Sequence, residues 1–155
     1  MTDTLAYIAL GSNLGHRLAN IRCAIARMSQ TEGILSVTQS PLSLETEPQD
    51  CLLTQGFYLN TVAQLKTQLS PDALLDACLD IEQAMGRLRQ TAASGPGPRV
   101  IDLDLIAVLQ NGVSIRVVQP PKLVLPHPRA YQREFVMRPL AAMGALDVLT
   151  CLNGL

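Results

Sequence analysis

The chain has 155 residues, 48% apolar and 16% charged, and a formal net charge of −1 at pH 7. That length suits one domain with a sizeable core, and that balance excludes a disordered chain and a general nucleic-acid binder. No apolar run reaches the length of a membrane span, and Met1-Thr2-Asp3-Thr4-Leu5 lacks the basic start of a signal peptide, so a soluble cytoplasmic protein is expected.

Leu5 to Leu10 reads as a strand, and Gly11-Ser12-Asn13-Leu14-Gly15 as the turn into a helix. The helix buries Leu18, Ile21, Ala24, Ile25 and Met28 along one face. A Gly-rich turn before a helix invites a phosphate-loop reading, but Gly-x-x-x-x-Gly-Lys is absent, and a plain turn is favoured. Gly33 ends this region and Ile34 to Thr38 alternates as a second strand. Ser40 to Phe57 has no sustained period and reads as a long loop, a length that is often functional. Tyr58 to Leu65 alternates as a strand with Tyr58, Asn60, Val62 and Gln64 on one face.

Ser70-Pro71-Asp72 supplies an N-cap, a proline at the first helical position and an acid suited to the helix dipole. Leu75, Cys78, Leu79 and Met85 form the expected buried stripe, and Glu82 projects close to it, where a carboxylate needs a partner. Arg87-Leu88-Arg89 then leads into the loop from Gln90 to Pro98. Cys23, Cys51, Cys78 and Cys151 form no Cys-x-x-Cys pair, which suggests neither zinc nor redox chemistry; Cys23 and Cys78 fall on helical core faces.

In Val100-Ile101-Asp102-Leu103-Asp104-Leu105 a period of two puts Ile101, Leu103 and Leu105 on one face of a strand and both carboxylates on the other. Residues two apart lie about 6.5 Å from each other. Ionised carboxylates at that spacing repel by about 2 to 3 kcal/mol at an effective dielectric near 20. Water on a solvated edge relieves that, and so does a hard cation such as Mg²⁺, commonly held by one or two carboxylates plus substrate phosphates. Arg99 just upstream favours a site. Up to Gly86 nine acidic residues face four basic ones, and beyond it eight basic face four acidic, so the second half suits an anion.

The strand continues through Ile106 to Gln110, turns at Asn111-Gly112 and returns along Val113 to Val118 until Gln119-Pro120-Pro121 stops it. Leu125-Pro126-His127-Pro128-Arg129 is too rich in proline for an element, and Phe135 to Met143 reads as a short helix with Pro139 near its start. The last dozen residues carry no clear pattern. The order β, α, β, β, α, β, β, α points to an α+β domain over residues 1–155, with helices packed on a mainly antiparallel sheet.

Taken in order, the following stretches together resemble the 6-hydroxymethyl-7,8-dihydropterin pyrophosphokinase family: Tyr7 to Gly15, Phe57-Tyr58-Leu59-Asn60, Glu82 with Gly86-Arg87-Leu88-Arg89, Gly97-Pro98-Arg99-Val100-Ile101-Asp102-Leu103-Asp104, Leu125 to Arg129 and Arg133 to Leu140. Any one is weak; the ordered set covers nearly the whole chain. The resemblance implies a ferredoxin-like core with an antiparallel sheet flanked by helices on both faces. It also implies transfer of pyrophosphate from ATP to the hydroxymethyl group of the pterin, releasing AMP, with two Mg²⁺ ions as cofactors.

By the same resemblance Asp102 and Asp104 hold the metal ions and, with Arg87 and Arg99, form the catalytic set. Glu82, Arg87, Arg89, Arg99, Leu105, His127 and Arg133 bind ATP; guanidinium forks match phosphate oxygens. Tyr58 and Phe135 stack on the pterin, Asn60 pairs with its amide edge, and Thr46 contacts it through the backbone. Bland readings stand beside these: a solvated helix end for Arg87 and Arg89, an ion pair for Glu82, a packed histidine for His127 and core packing for Tyr58 and Phe135. The expected partners are ATP and the hydroxymethyl-dihydropterin, with no nucleic acid or membrane, and a monomer is expected.

One departure stands out. The family carries an Arg-Trp pair before Gly-Pro-Arg, in a loop that closes over the substrates, whereas this chain has Ala93-Ser94-Gly95-Pro96 and no Trp at all. A non-catalytic pterin- or nucleotide-binding paralogue is therefore the alternative. A different two-metal phosphoryl-transfer enzyme would explain the Asp pair but not Tyr58, Asn60 and Phe135.

Overall fold

The computed structural model describes residues 4–47, 56–86 and 100–150. The stretch with Arg87, Arg89, Arg99 and Ala93 to Pro96 lies outside these, as do Cys51 and Cys151. The main sheet is built from β1 (Thr4–Ser12), β2 (Ile34–Gln39), β3 (Leu44–Thr46), β4 (Tyr58–Thr67), β5 (Asp102–Gln110) and β6 (Val113–Ser114). It runs β2-β4-β1-β5-β6 with β3 added on β4, and every pairing is antiparallel. A second ribbon pairs β7 (Val117–Gln119) with β8 (Leu123–Leu125). The helices are α1 (Arg17–Ser29), α2 (Pro71–Ala84), α3 (Glu134–Ala142) and α4 (Asp147–Thr150). Without β3 and the strands after β5, the order β1-α1-β2-β4-α2-β5 is the ferredoxin-like split βαβ arrangement.

Each sheet face carries its own core. Ala6, Ile8 and Leu10 of β1 pack with Ile21, Ala24 and Met28 of α1 and with Leu74, Cys78 and Ile81 of α2. Tyr7 and Ala9, pointing the other way, pack with Val136 and Leu140 of α3 and Val148 and Leu149 of α4. The expected helices on both faces are therefore present, because alternate residues of β1 are apolar throughout and neither face can be left to water.

Strand β5 changes character midway. Its register with β1 runs Asp102 to Gly11, Leu103 to Leu10, Asp104 to Ala9 and Leu105 to Ile8, then jumps to Ala107 opposite Tyr7. Ile106 is the extra residue of a bulge, which exchanges the two faces. Leu103 and Leu105 lie in the α1/α2 core, while Ile106, Ala107 and Leu109 lie in the α3/α4 core.

Several local expectations are corrected. β1 continues through Gly11 and Ser12, so the turn begins at Asn13. Leu18 and Cys23 are exposed, the α1 stripe being Ile21, Ala24 and Met28. In α2 the stripe is Leu74, Cys78, Ile81 and Glu82, while Leu79 is 47% exposed. The long loop contains β3, and the returning strand breaks after Ser114 into β6 and β7. Leu125 ends β8, a 3₁₀ turn covers Ala130–Gln132, Pro139 sits inside α3 rather than near its start, and the last stretch holds α4. The Pro139 carbonyl receives a hydrogen bond from the buried Ser40 hydroxyl at 2.8 Å, which ties the long loop to α3. The turn chemistry is as expected: Ser70 Oγ accepts from Ala73 N–H, and Asn111 and Gly112 both take positive φ.

Candidate active site

Gly11 lies between Asn60 of β4 on one side and Asp102 of β5 on the other, in one row across three strands. In the next row Ala9 lies between Val62 and Asp104. Residues in register on antiparallel strands share a face, so Tyr58, Asn60, Asp102 and Asp104 present their side chains on the face that α3 covers further along. Neighbouring strands are about 4.8 Å apart, which puts Asn60 and Asp102 about 10 Å from each other across the glycine. A Cβ on Gly11 would sit 3.2 Å from Asn60 Oδ1 and 3.4 Å from Tyr58 Cδ1. Its backbone needs no positive φ, so the glycine is there for the close approach it allows to Asn60 and Tyr58. Sequence reasoning assigned Gly11 to the turn, and only its register reveals this.

Asn60 is 5% exposed and its amide orientation is fixed: the NH₂ group donates to Leu44 O at 3.1 Å and to Thr46 Oγ1 at 2.9 Å. Oδ1 therefore points toward Gly11 as an acceptor. Thr46 is opposite Tyr58 in the β3/β4 register, so the short strand brings the Thr46 and Asn60 expectations into one unit. Arg17, at the start of α1, braces both banks: it donates to Phe57 O at 2.9 Å and bridges Glu45 at 2.7 Å. Asn13 donates to Gly56 O at 3.5 Å. No sequence signal marked Arg17, because its partners are 28 and 40 residues away. The turn after β1 is structural, as read, held by Asn20 on Leu14 O and Ser12 Oγ.

On the β5 side Asp102 and Asp104 are half-buried on one face, while Ile101, Leu103 and Leu105 are buried, as the alternation predicts. Leu105 turns its side chain into the α1/α2 core, away from the carboxylates. Arg133 Nη1 lies 3.5 Å from Asp104 Oδ2, and the same guanidinium is 5.7 Å from the centre of the Phe135 ring. The beginning of α3 thus brings Arg133 to Asp104, with Phe135 beside the same guanidinium. Glu82 of α2 is 1% exposed, and its Oε2 accepts Leu103 N–H at 3.0 Å; Leu103 is the residue between the two aspartates. The partner that a carboxylate in this stripe requires includes a backbone amide.

His127 N–H donates to Ile106 O at 2.8 Å, which fastens the Pro-rich segment along β5. Its Nδ1 accepts Arg129 N–H at 3.2 Å. Burial holds its pKa below the ordinary histidine value, and the Arg133 and Arg129 charges add to that. A neutral ring whose Nδ1 accepts carries its proton on Nε2. The Cys78 thiol is pushed up to about 12, first by burial and then by the Glu82 and Asp104 carboxylates, so it packs as a small apolar group.

Among the described residues no group of three or more His, Cys, Asp or Glu side chains could form a closed metal cage. The Asp pair offers hard carboxylate oxygens, a donor type that fits Mg²⁺ completed by phosphate oxygens. Arg87, Arg89 and Arg99 fall outside the described residues.

The sequence profile of the 7,8-dihydro-6-hydroxymethylpterin-pyrophosphokinase family matches residues 7–145. The chain is 40% identical over 139 residues to the 2-amino-4-hydroxy-6-hydroxymethyldihydropteridine pyrophosphokinase of Bacillus subtilis, covering 90% of this chain and 77% of that protein. It is 39% identical to the Methylorubrum extorquens protein of the same name, covering 89% of this chain and 81% of the other. It is also 39% identical to the Folic acid synthesis protein fol1 of Schizosaccharomyces pombe, but spans only 18% of that longer protein. With nearly the whole chain inside the profile, and Asn60, Gly11 and the Asp pair meeting on one sheet face, the chain belongs to the 7,8-dihydro-6-hydroxymethylpterin-pyrophosphokinase family.

Proposed function

We propose that this protein transfers pyrophosphate from ATP to 6-hydroxymethyl-7,8-dihydropterin, giving AMP and the pterin pyrophosphate for folate synthesis. The observation that carries this reading is the row Asn60–Gly11–Asp102: an amide acceptor and a carboxylate on either side of a glycine whose missing side chain lets Asn60 Oδ1 and the Tyr58 ring lie close against the strand. A flat pterin stacked between Tyr58 and Phe135 turns its amide edge to Asn60 and directs its hydroxymethyl group toward Asp102. The hydroxymethyl oxygen forms a bond to the β-phosphorus of ATP and loses its proton. The bond from that phosphorus to the oxygen bridging to the α-phosphate breaks, and AMP leaves with the electron pair.

Such a transfer needs alignment and charge neutralisation rather than a covalent nucleophile. Asp102 and Asp104 would hold two Mg²⁺ ions, which supply neutralisation of the triphosphate charge when bound. Arg133 would contact phosphate, exchanging its long contact with Asp104 for a stronger bidentate one, and His127 would offer its Nε2 proton as a donor to the nucleotide. Arg87, Arg89 and Arg99 complete the proposed phosphate contacts, and the Thr46 backbone the pterin contacts. Leu105 and Glu82 are expected to act on ATP from behind the strand. The protein is expected to act as a cytoplasmic monomer.

Incubation with ATP, Mg²⁺ and the hydroxymethyl pterin should release AMP and pterin pyrophosphate in equal amounts, and chelation of the metal should stop it. Binding of both ligands with no AMP at high protein concentration would instead establish a non-catalytic paralogue.

A further inference from the structure

We propose that Glu82 is a positioning residue, which fixes the spacing of the Asp102 and Asp104 carboxylates by holding the backbone amide between them; this rests on the pyrophosphokinase reading of the Asp pair. The outer edge of β5 shows why such a device is needed. Strand β6 registers only with Leu109 and Gln110. Closer to the middle, the outward carbonyls of Val108 and Ile106 are met by Ile115 N–H and His127 N–H, both at 2.8 Å. At the end that carries the aspartates, Leu103 N–H goes to Glu82 Oε2 at 3.0 Å. Its side chain belongs to the α1/α2 core, so the amide lies in the sheet plane and the carboxylate reaches it around the edge from α2.

Among the described residues this strand end is paired on one side only, with β1, and such an end frays more readily, whereas a two-carboxylate site has to be held within about 0.5 Å. The tie comes from the last turn of a 14-residue helix whose other buried groups, Leu74, Cys78 and Ile81, are packed in the core. Stability alone would be served by leucine at this apolar position, since a buried carboxylate is costly. What the carboxyl gives, and leucine cannot, is an acceptor for the Leu103 amide. Glu82 is 1% exposed, and its effect on the two carboxylates is transmitted through Leu103.

The test uses the full chain with E82L, which fills the space without an acceptor, and E82Q, which keeps one. Leu103 amide exchange, Mn²⁺ binding with α,β-methylene-ATP, and kcat and KM are measured. In E82L the Leu103 amide should exchange at least 100-fold faster, with Val108 unchanged. Mn²⁺ affinity and kcat should each fall about tenfold or more, and KM for the pterin should stay within about twofold. E82Q should restore Leu103 protection and bring kcat to within about threefold of the parent. If E82L fails to fold, E82D, too short to reach the amide, takes its place with the same expectations. A folded variant in which Leu103 exchanges freely while Mn²⁺ affinity and kcat stay within about twofold overturns the proposal. So does an E82Q protein that protects Leu103 yet is as slow as E82L. A parent protein that releases no AMP refutes the catalytic reading instead, and the exchange and Mn²⁺ measurements still decide the role of Glu82.

Discussion

The two halves of β5 have the same backbone and opposite chemistry. From Ile106 to Leu109 both faces are buried, and the strand is part of two cores at once. From Asp102 to Leu105 one face is core and the other carries carboxylates beyond the cover of α3. The bulge at Ile106 separates the halves and lets each choose its faces independently. A site built this way takes its rigidity from the half that does no chemistry. The sharpest way to separate the two is to damage each alone.

The largest effect is expected at the carboxylates. D102N and D104N keep the shape and remove the charge, and each should lower kcat about a thousandfold or more, read as AMP release. Both side chains are half-buried on an open face, so thermal unfolding should change by less than about 0.5 kcal/mol. A turnover within tenfold of the parent in either variant would remove the metal assignment. The opposite outcome is expected beyond the bulge. Ile106 is fully buried, and I106A should cost about 2 to 5 kcal/mol in urea unfolding while the folded fraction keeps its KM values. A normal stability with altered KM would mean that the halves are not separable.

Between these extremes lies Gly11, on the neighbouring strand. The G11A methyl group would meet Asn60 Oδ1 at 3.2 Å and Tyr58 Cδ1 at 3.4 Å and push on the two side chains assigned to the pterin. KM for the pterin should rise about tenfold, with KM for ATP unchanged, since only one substrate lies over that glycine. Equal changes for both substrates would show that the methyl group distorts the sheet rather than those two side chains.

How much of this was legible in the sequence follows from how strongly each residue contrasts with its neighbours. Asp102 and Asp104 interrupt an aliphatic run, so their alternation was readable. Ile106 to Leu109 are all apolar, so a change of face within them leaves no trace in the pattern. In α2, Leu74, Leu75, Cys78, Leu79 and Ile81 spread over a broad arc of the helix, and periodicity could not show that Leu79, at the edge of that arc, faces water. The face that packs carries Leu74, Cys78 and Ile81 together with Glu82, which meets the Leu103 amide of β5. Strand β3 was hidden because three residues paired with Tyr58 to Asn60 are defined by their register, not by their composition. The ordered family motifs located Tyr58, Asn60, Phe135 and the Asp pair without revealing Gly11 or Arg17, whose roles exist only once the strands are aligned.

The smallest effect concerns His127, which links the halves by donating its amide to Ile106 O. Its folded-state pKa lies below the unfolded value of about 6.5, because partial burial and then the Arg133 and Arg129 charges disfavour the imidazolium. Between the two pKa values the unfolded chain binds more protons than the folded one, so stability rises with pH there and is lost as pH falls below about 6.5. H127N tests this cleanly: Asn Oδ1 can accept the amide two residues on, as Nδ1 does from Arg129, and it does not titrate. Urea midpoints at pH 5.5 and 7.5 should differ less in H127N than in the parent, with His16 common to both proteins and cancelling. An unchanged difference would show that His127 remains free to take up its proton in the folded state, and would remove the argument that it faces the nucleotide as a neutral donor.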